Sequence, residues 1–550
     1  MLSRTIVFLL LIATSFSGFA QKLKKADKEI LTNLQSHVKF LADDKLEGRR
    51  AGTKGEQLAG DYISSQWQGI GLQPKGTDGW WQSFEINDGK QINSATHLFI
   101  NGNDLKLDQE YFPLNISANK SAEAAVSMAL AERNVPWFLD LKEVLEENKD
   151  NPHFDLADAL KTKANNVAQK GATALILYNT STIVDNLKFN QKDRIEPATI
   201  PVLYVTSAAK KKYLNDPQAT LDIKLKTDIG DKKRTGRNVV GYIDNGAVNT
   251  IVLGAHYDHL GYGEDGNSMI RTGEKQIHNG ADDNASGTAA LIELSRLLKT
   301  SKNKSSNYLF IAFSAEELGL NGSKYFTENP TIDLSKVNFM VNMDMVGRLN
   351  DSSKTLTVGG YGTSPWWGQL FTKTIKSNKA INIKFDSSGT GPSDHTSFYR
   401  KDIPVLFFFT GLHTDYHKPS DDYDKINYNG ELQVVKYIAT IVEASNQQNK
   451  IAFTKTRETQ TSTSSRFSVS LGIMPDYTFS GAGVRADGVT DGRAAQKAGL
   501  KTGDVIVQLG DFNISSMESY MQALGKFKKG DKTKVKYKRG NETLEADVEF

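Results

Sequence analysis

Apolar residues recur at helical spacing over residues 27–41, where Ile30, Leu34, His37, Val38 and Leu41 share one face. A second helix is expected over residues 56–68, after the glycine-punctuated loop Leu46-Glu47-Gly48-Arg49-Arg50-Ala51-Gly52-Thr53. Trp80 and Trp81 follow in a turn-rich stretch and read as packing anchors. From about residue 92 to 235 the texture changes. Short strand-like runs at 126–130, 174–178 and 201–205 alternate with polar or lysine-rich segments, and a helix ends at 167–171. The lysines at 210–212 read as a solvated face. Nothing in this block assembles a catalytic constellation, so it reads as an inserted module. From 236 to about 448 the order becomes strand, glycine-rich loop, helix, repeated. Strands are expected at 238–243, 250–255, 308–314, 337–343 and 405–409, with a helix at 286–298. Largely apolar strands of this kind are buried on both faces of an α/β sheet, whose strand ends carry the chemistry. Residues 454–465 are rich in Thr and Ser without apolar periodicity and read as linker. A last domain follows, with strands near Leu471, at 505–509 and at 534–538.

The first twenty residues read as an address. Arg4 precedes an apolar run at 6–13, and Gly18-Phe19-Ala20 offers small residues for cleavage. That run is short of the ~20 residues a membrane span needs, and no later segment is long enough either. The expected location is therefore the periplasm or the exterior. Absence of cysteine excludes a lipoprotein anchor, disulfides, thiolate nucleophiles, zinc fingers and iron–sulfur clusters. Any metal must then be held by imidazole and carboxylate. A formal charge of +3 gives no reason to expect nucleic acid as a partner.

The candidate chemistry clusters in the α/β block. It comprises Gly254-Ala255-His256-Tyr257-Asp258-His259, Asp282-Asp283-Asn284 before a helix, Ser314-Ala315-Glu316-Glu317, Asn342-Met343-Asp344 and Asp415-Tyr416-His417. Each alone has an ordinary explanation: a polar loop histidine, a helix cap, solvated glutamates, or an aspartate paired with Arg348. Together, two histidines and three carboxylates can hold a pair of divalent cations with one carboxylate shared. Nitrogen and oxygen donors without thiolate suit zinc, with manganese or cobalt as substitutes. The Glu316-Glu317 pair can supply both a ligand and the base that takes a proton from an attacking water.

This combination resembles the M28 family of co-catalytic zinc aminopeptidases and carboxypeptidases. The resemblance extends to Leu41-Ala42-Asp43-Asp44-Lys45-Leu46-Glu47-Gly48-Arg49 and Gly69-Ile70-Gly71-Leu72-Gln73-Pro74. It implies that Asp283 bridges two zinc ions, with Asp282 the competing candidate in the same turn. His256 and Asp344 would complete one site, Glu317 and His417 the other, and Glu316 would be the general base. Asp258 would orient His256 through its other ring nitrogen, and the Asp283–Asn284 peptide bond is expected to be cis. Ser393, Asp394 and His395 resemble a stretch near the family's substrate cleft, whereas His259, His278 and His413 read as loop polarity.

The inserted block resembles a protease-associated (PA) domain through Val167-Ala168-Gln169-Lys170-Gly171-Ala172, Leu175-Ile176-Leu177-Tyr178-Asn179 and Ile200-Pro201-Val202. The tail resembles a PDZ domain. Leu471, Gly472 and Ile473, after Ser470, stand as its carboxylate-binding loop, and Ala494-Ala495-Gln496-Lys497-Ala498-Gly499-Leu500 continues the match. A peptide C-terminus is the partner such a groove implies. The expected architecture is thus α/β, a mixed central sheet flanked by helices, with a β-rich PA-like insertion and a C-terminal PDZ domain. Residues 1–20 would be signal peptide, 21–91 and 236–448 the peptidase domain, 92–235 the insertion, 449–465 the linker and 466–550 the PDZ domain. The implied activity is release of N-terminal residues from peptide substrates by two Zn2+. A carboxypeptidase, a single-zinc glutaminyl cyclase and a non-catalytic peptide-binding scaffold are the rival readings.

Overall fold

The computed structural model describes residues 24–149, 154–191, 193, 195–270, 274–375, 380–445, 450–456, 469–475, 479, 481–489, 492–515 and 517–550. The signal peptide expected over residues 1–20, and most of the expected linker, lie outside them.

A nine-stranded mixed sheet carries the candidate residues. Its centre is parallel: Thr250–His256 lies between Asn307–Phe313 and Val337–Met343, and Val405–Phe409 follows on the far side of the latter. Every residue of the first three strands is buried, as expected for apolar strands covered on both faces. Alternate side chains serve two cores. Ile251, Leu253, Phe310 and Val341 face a large core with the helices Lys25–Leu41, Lys54–Ile70, Gly287–Thr300 and Tyr428–Ser445. Val252, Leu309, Ile311 and Met340 face the opposite core, which holds Phe326 and Phe398 of the short helices Asn321–Glu328 and His395–Tyr399. The sheet is mixed because Ile229–Ile243 runs antiparallel to Asn307–Phe313, and Thr355–Gly359 antiparallel to Val405–Phe409.

The strand expected at 238–243 is longer than its apolar part. Ile229–Ile243 pairs antiparallel with Trp81–Ile92 to form a ribbon that leaves the sheet. Its outer part, residues 229–235, is polar and alternates part-buried and exposed positions instead of being apolar throughout, which hid it in the sequence. At the ribbon's end sit two four-stranded sheets. Ala174–Tyr178 matches the expected strand, but the one expected at 126–130 is Ser121–Ser127, fixed by pairing with Thr220–Lys226. Its inward positions include Ala122, too small to register as an apolar signal.

Residues 450–456 are not free linker. The Ile451 amide donates to Asn338 Oδ1 at 2.8 Å and the Thr454 amide to the Thr363 carbonyl at 2.8 Å. Thr456 donates through its amide to the Tyr399 hydroxyl at 2.9 Å. Partners in the α/β body satisfy this backbone, a tertiary fact that polar composition does not report. In the C-terminal part a separate core forms around Leu471, Ile506, Leu509, Val535 and Tyr537. The strand expected near Leu471 is Ile473–Pro475, which pairs with Val484–Val489 at the end of its sheet. Among the described residues no helix is long and apolar enough to cross a membrane.

Candidate metal centre

The C-terminal ends of the parallel strands converge, as ligand-binding loops of open α/β sheets do. His256 ends its strand, Asp344 follows Val337–Met343, and Glu316 and Glu317 follow Asn307–Phe313. Asp283 lies in the turn entering the helix Gly287–Thr300, and the Asp283–Asn284 peptide bond is cis. The turn is held from below, where Asp421 Oδ2 accepts from the amides of Asp282 (3.0 Å) and Asp283 (3.1 Å).

Asp283 stands at the centre. Its Oδ1 is 3.4 Å from His256 Nε2 and its Oδ2 is 3.3 Å from His417 Nε2. Asp344 Oδ1 lies 3.3 Å from His256 Nε2, and Glu317 Oε2 lies 3.3 Å from His417 Nε2. The donors thus fall into two sets that share Asp283. Glu316 stands beside the first, with Oε2 4.0 Å from His256 Nε2. Asp282 turns away: its Oδ1 accepts from Gly347 N at 2.7 Å, and its Oδ2 is 3.2 Å from His413 Nε2. In this arrangement Asp283, not Asp282, occupies the shared position.

Several expectations need correction. Asp258 does meet the other ring nitrogen of His256, but through its backbone and not its carboxylate. The backbone carbonyl of Asp258 is 3.2 Å from His256 Nδ1, while its Oδ1 stays 3.8 Å away and accepts from the Glu316 amide at 3.0 Å. The Asp258 carboxylate therefore braces the glutamate loop. Arg348 pairs with Asp415 at 3.2 Å instead of with Asp344. His259 is not loop polarity: it is buried, its Nδ1 is 2.8 Å from Glu317 Oε1, and it can join Asp283 and Glu317 around an ion. His278 and His413 are likewise packed groups, the former 2.8 Å from Ser268 Oγ. Ser393, Asp394 and His395 do not present a cleft wall, being almost completely buried. Ser393 accepts from Asn342 Nδ2 at 2.8 Å behind Asp344, and His395 stacks on Phe407 with centroids 4.5 Å apart. They follow the loop Gly389-Thr390-Gly391, which is itself buried.

One residue carried no role in the motif reading. Tyr416 stacks on His417, centroids 3.9 Å apart. Burial first, then the carboxylates of Asp283, Glu317, Glu316 and Asp344, push its phenol far above the ordinary range. The hydroxyl therefore stays protonated and available as a donor. Its position next to a candidate histidine was the signal available in the sequence.

The electrostatics ask for cations. Asp258, Asp283, Glu316, Glu317, Asp344 and Asp394 gather in a largely buried volume. The buried guanidinium of Arg49 faces Asp258, Asp283 and Glu317. Burial opposes charge on His256, yet Asp344 and Glu316 override it and hold its pKa well above the usual value. Burial likewise lowers His417, but Glu317 and Asp283 raise it to about 11. Glu316 is shifted well upward by burial, opposed by His256 and reinforced by Glu317 and Asp344. Such a concentration of negative charge away from water is stable only when paired or metal-bound. The donor set, imidazole and carboxylate with no cysteine anywhere in the chain, fits zinc, and manganese or cobalt by the same donors.

Residues 238–442 match the model of peptidase family M28, and residues 453–550 that of the PDZ domain. Aminopeptidase YwaD of Bacillus subtilis (strain 168) is 28% identical over 311 residues, 52% of this chain and 60% of that protein. Leupeptin-inactivating enzyme 1 of Streptomyces exfoliatus is 30% identical over 187 residues, 34% of this chain and 37% of that protein. The chain thus spans 60% or less of the length of either relative. Among solved structures, the aminopeptidase from Aneurinibacillus sp. strain AM-1 aligns with 78% of this chain and 97% of its own, at 22% identity and a TM-score of 0.42.

Proposed function

We propose that this chain is an exported two-zinc exopeptidase that releases N-terminal residues from peptides. The observation that carries the reading is the pair of donor sets sharing Asp283, with Glu316 beside them and bound to neither histidine at hydrogen-bond distance. His256, Asp283 and Asp344 would hold one ion, and Asp283, Glu317 and His417 the other, with His259 close enough to Glu317 to orient it or to share its ion. Zinc held there would polarise the scissile carbonyl and acidify the attacking water.

The remaining chemistry belongs to the protein. Glu316 takes the proton from the water and returns it to the leaving amine, a role suited to a carboxylate whose affinity for protons is raised by burial. The Tyr416 hydroxyl donates to the oxygen on which negative charge develops. Asp258 holds the amides of Glu316 and Glu317, so the base and its neighbouring ligand keep a fixed spacing. The ribbon-borne insertion at about residues 92–235 is read as PA-like, a module that would cover the site or select substrate. In the tail, Leu471 and Gly472 lead into the strand Ile473–Pro475 at the end of its sheet, where a PDZ groove would take an extended peptide C-terminus by strand addition.

The test is Glu316→Gln. It should keep its zinc and lose about 100- to 10,000-fold in turnover of aminoacyl chromogenic substrates, the usual worth of a general base. Undiminished turnover would remove Glu316 from the mechanism. Digestion of a peptide mixture read by mass spectrometry should show loss from amino ends. Loss from carboxyl ends would replace the aminopeptidase by the carboxypeptidase reading.

A further inference from the structure

The two donor sets are supported in different ways. His256 and Asp344 sit on the sheet itself: the His256 carbonyl accepts from Thr288 Oγ1 at 2.8 Å, and the Asp344 amide donates to the Phe408 carbonyl at 3.2 Å. His417 and Glu317 instead depend on the loop that follows His259. The Asn267 carbonyl accepts from His417 Nδ1 at 2.9 Å, which turns Nε2 toward Asp283 and Glu317. The Met269 amide donates to the His417 carbonyl at 2.9 Å, and Asn267 Nδ2 donates to the Glu317 carbonyl at 3.2 Å. One loop therefore grips both residues of that set.

This loop is anchored two residues earlier. Arg50 meets Asp265 with both prongs of its fork, Nε at 2.7 Å and Nη2 at 2.9 Å. Arg234 adds Nη2 at 3.3 Å. Both arginines also reach Asp88, Arg50 at 3.3 Å and Arg234 at 3.0 Å. Asp88 and Arg234 belong to the ribbon strands Trp81–Ile92 and Ile229–Ile243, which carry the insertion. The Asp265 and Asp88 side chains are almost completely buried, so these pairs are poorly screened by solvent.

We infer that Asp265 is a positioning residue for the His417–Glu317 half of the centre, through which the ribbon bearing the insertion sets the affinity of one metal site and not the other. The inference rests on the proposed metal reading and adds an asymmetry to it. A buried carboxylate clamped by two guanidinium groups fixes the loop, the loop's carbonyl fixes the His417 tautomer and ring, and His417 then presents Nε2. Outer partners of this kind commonly change metal affinity by about 10- to 100-fold when removed. The chain of contacts ends on His417 and Glu317 and meets His256 only across the shared Asp283.

The experiment titrates zinc into metal-free full-length protein against a chromophoric chelator. Wild type should show two sites. Asp265→Asn should weaken one by about 10- to 100-fold and leave the other within about threefold, the scatter expected of a distant change. Arg50→Lys keeps the charge but loses the fork, and it should show the same one-sided loss if the first variant folds poorly. Equal weakening of both sites, or unchanged affinity in both variants, would overturn the inference. A lowered melting temperature with two intact zinc affinities would overturn it too, leaving Asp265 a purely structural group. Wild type that binds no zinc would sink the metal reading instead, so the two failures are distinguishable.

Discussion

Replacing Arg49 by methionine should unfold the centre from beneath. The Arg49 side chain is buried and donates to four backbone carbonyls: Nε to Tyr257 at 2.8 Å, Nη1 to Asn279 at 2.7 Å and to Leu41, and Nη2 to Gly280 at 3.0 Å. These carbonyls belong to the end of the first helix, the loop after His256 and the turn before Asp283, so one group joins the segments that bear the candidate ligands. Each buried carbonyl left without a donor costs about 1–3 kcal/mol, or about 8 kcal/mol for all four at the middle of that range. Against this stands the cost of burying the guanidinium. Burial lowers its pKa from 12.5 to about 10 despite the attraction of Asp258 and Asp283, so it remains charged at neutral pH. That lowering corresponds to about 3 kcal/mol, which methionine would return. The net loss is about 5 kcal/mol, beyond the ordinary range for a point substitution. Urea unfolding followed by tryptophan fluorescence reports it, since Trp67, Trp80, Trp81, Trp366 and Trp367 lie in or against the α/β core. Arg49→Lys should fall between the two, because an ammonium cannot span the same fan of carbonyls. A loss below about 1 kcal/mol for Arg49→Met, the centre of the mutational distribution, would refute the reasoning.

Tyr416→Phe should lower kcat about 100-fold with KM and zinc content nearly unchanged, as for removal of one donor to a developing oxyanion. Unchanged kcat would show that the phenol only packs on His417. The stability of His395→Leu relative to wild type should depend on pH. Burial holds the folded-state pKa of His395 down at about 3, against an ordinary 6.5. Below pH 6.5 the unfolded chain therefore binds a proton that the folded chain refuses. The stabilisation is complete above pH 6.5 and is lost as pH falls toward 3. Wild type should lose about 1.4 kcal/mol per pH unit relative to the leucine variant over that window. Parallel stability curves from urea titrations at pH 7, 6 and 5 would contradict a neutral buried imidazole.

Much of the centre is legible in the chain because its parts sit beside strong local signals. His256, Asp344 and the Glu316-Glu317 pair each follow an apolar strand, and Asp283 opens a helix. Such punctuation survives in one dimension. The residues misread there are those whose role depends on what covers them. His259 differs from a solvated loop histidine only because the Glu317 loop closes over it. His395 reads as a polar cleft residue until Phe407 lies flat against it. The Asp258 carboxylate turned out to hold the Glu316 amide, a partner 58 residues away in the chain.

The sequence by itself determined the central strands and three of the helices of the α/β body, the absence of thiolate ligands and most of the residues able to hold metal. These follow from periodicity and side-chain chemistry, which are local. Only the tertiary structure decided which carboxylate of the Asp282-Asp283 pair faces the histidines, that residues 450–456 bind to the body, and that Asp265 ties the ribbon to His417. Those outcomes depend on distances between segments far apart in the chain, where a backbone turn of one residue exchanges a ligand for a hydrogen-bond acceptor.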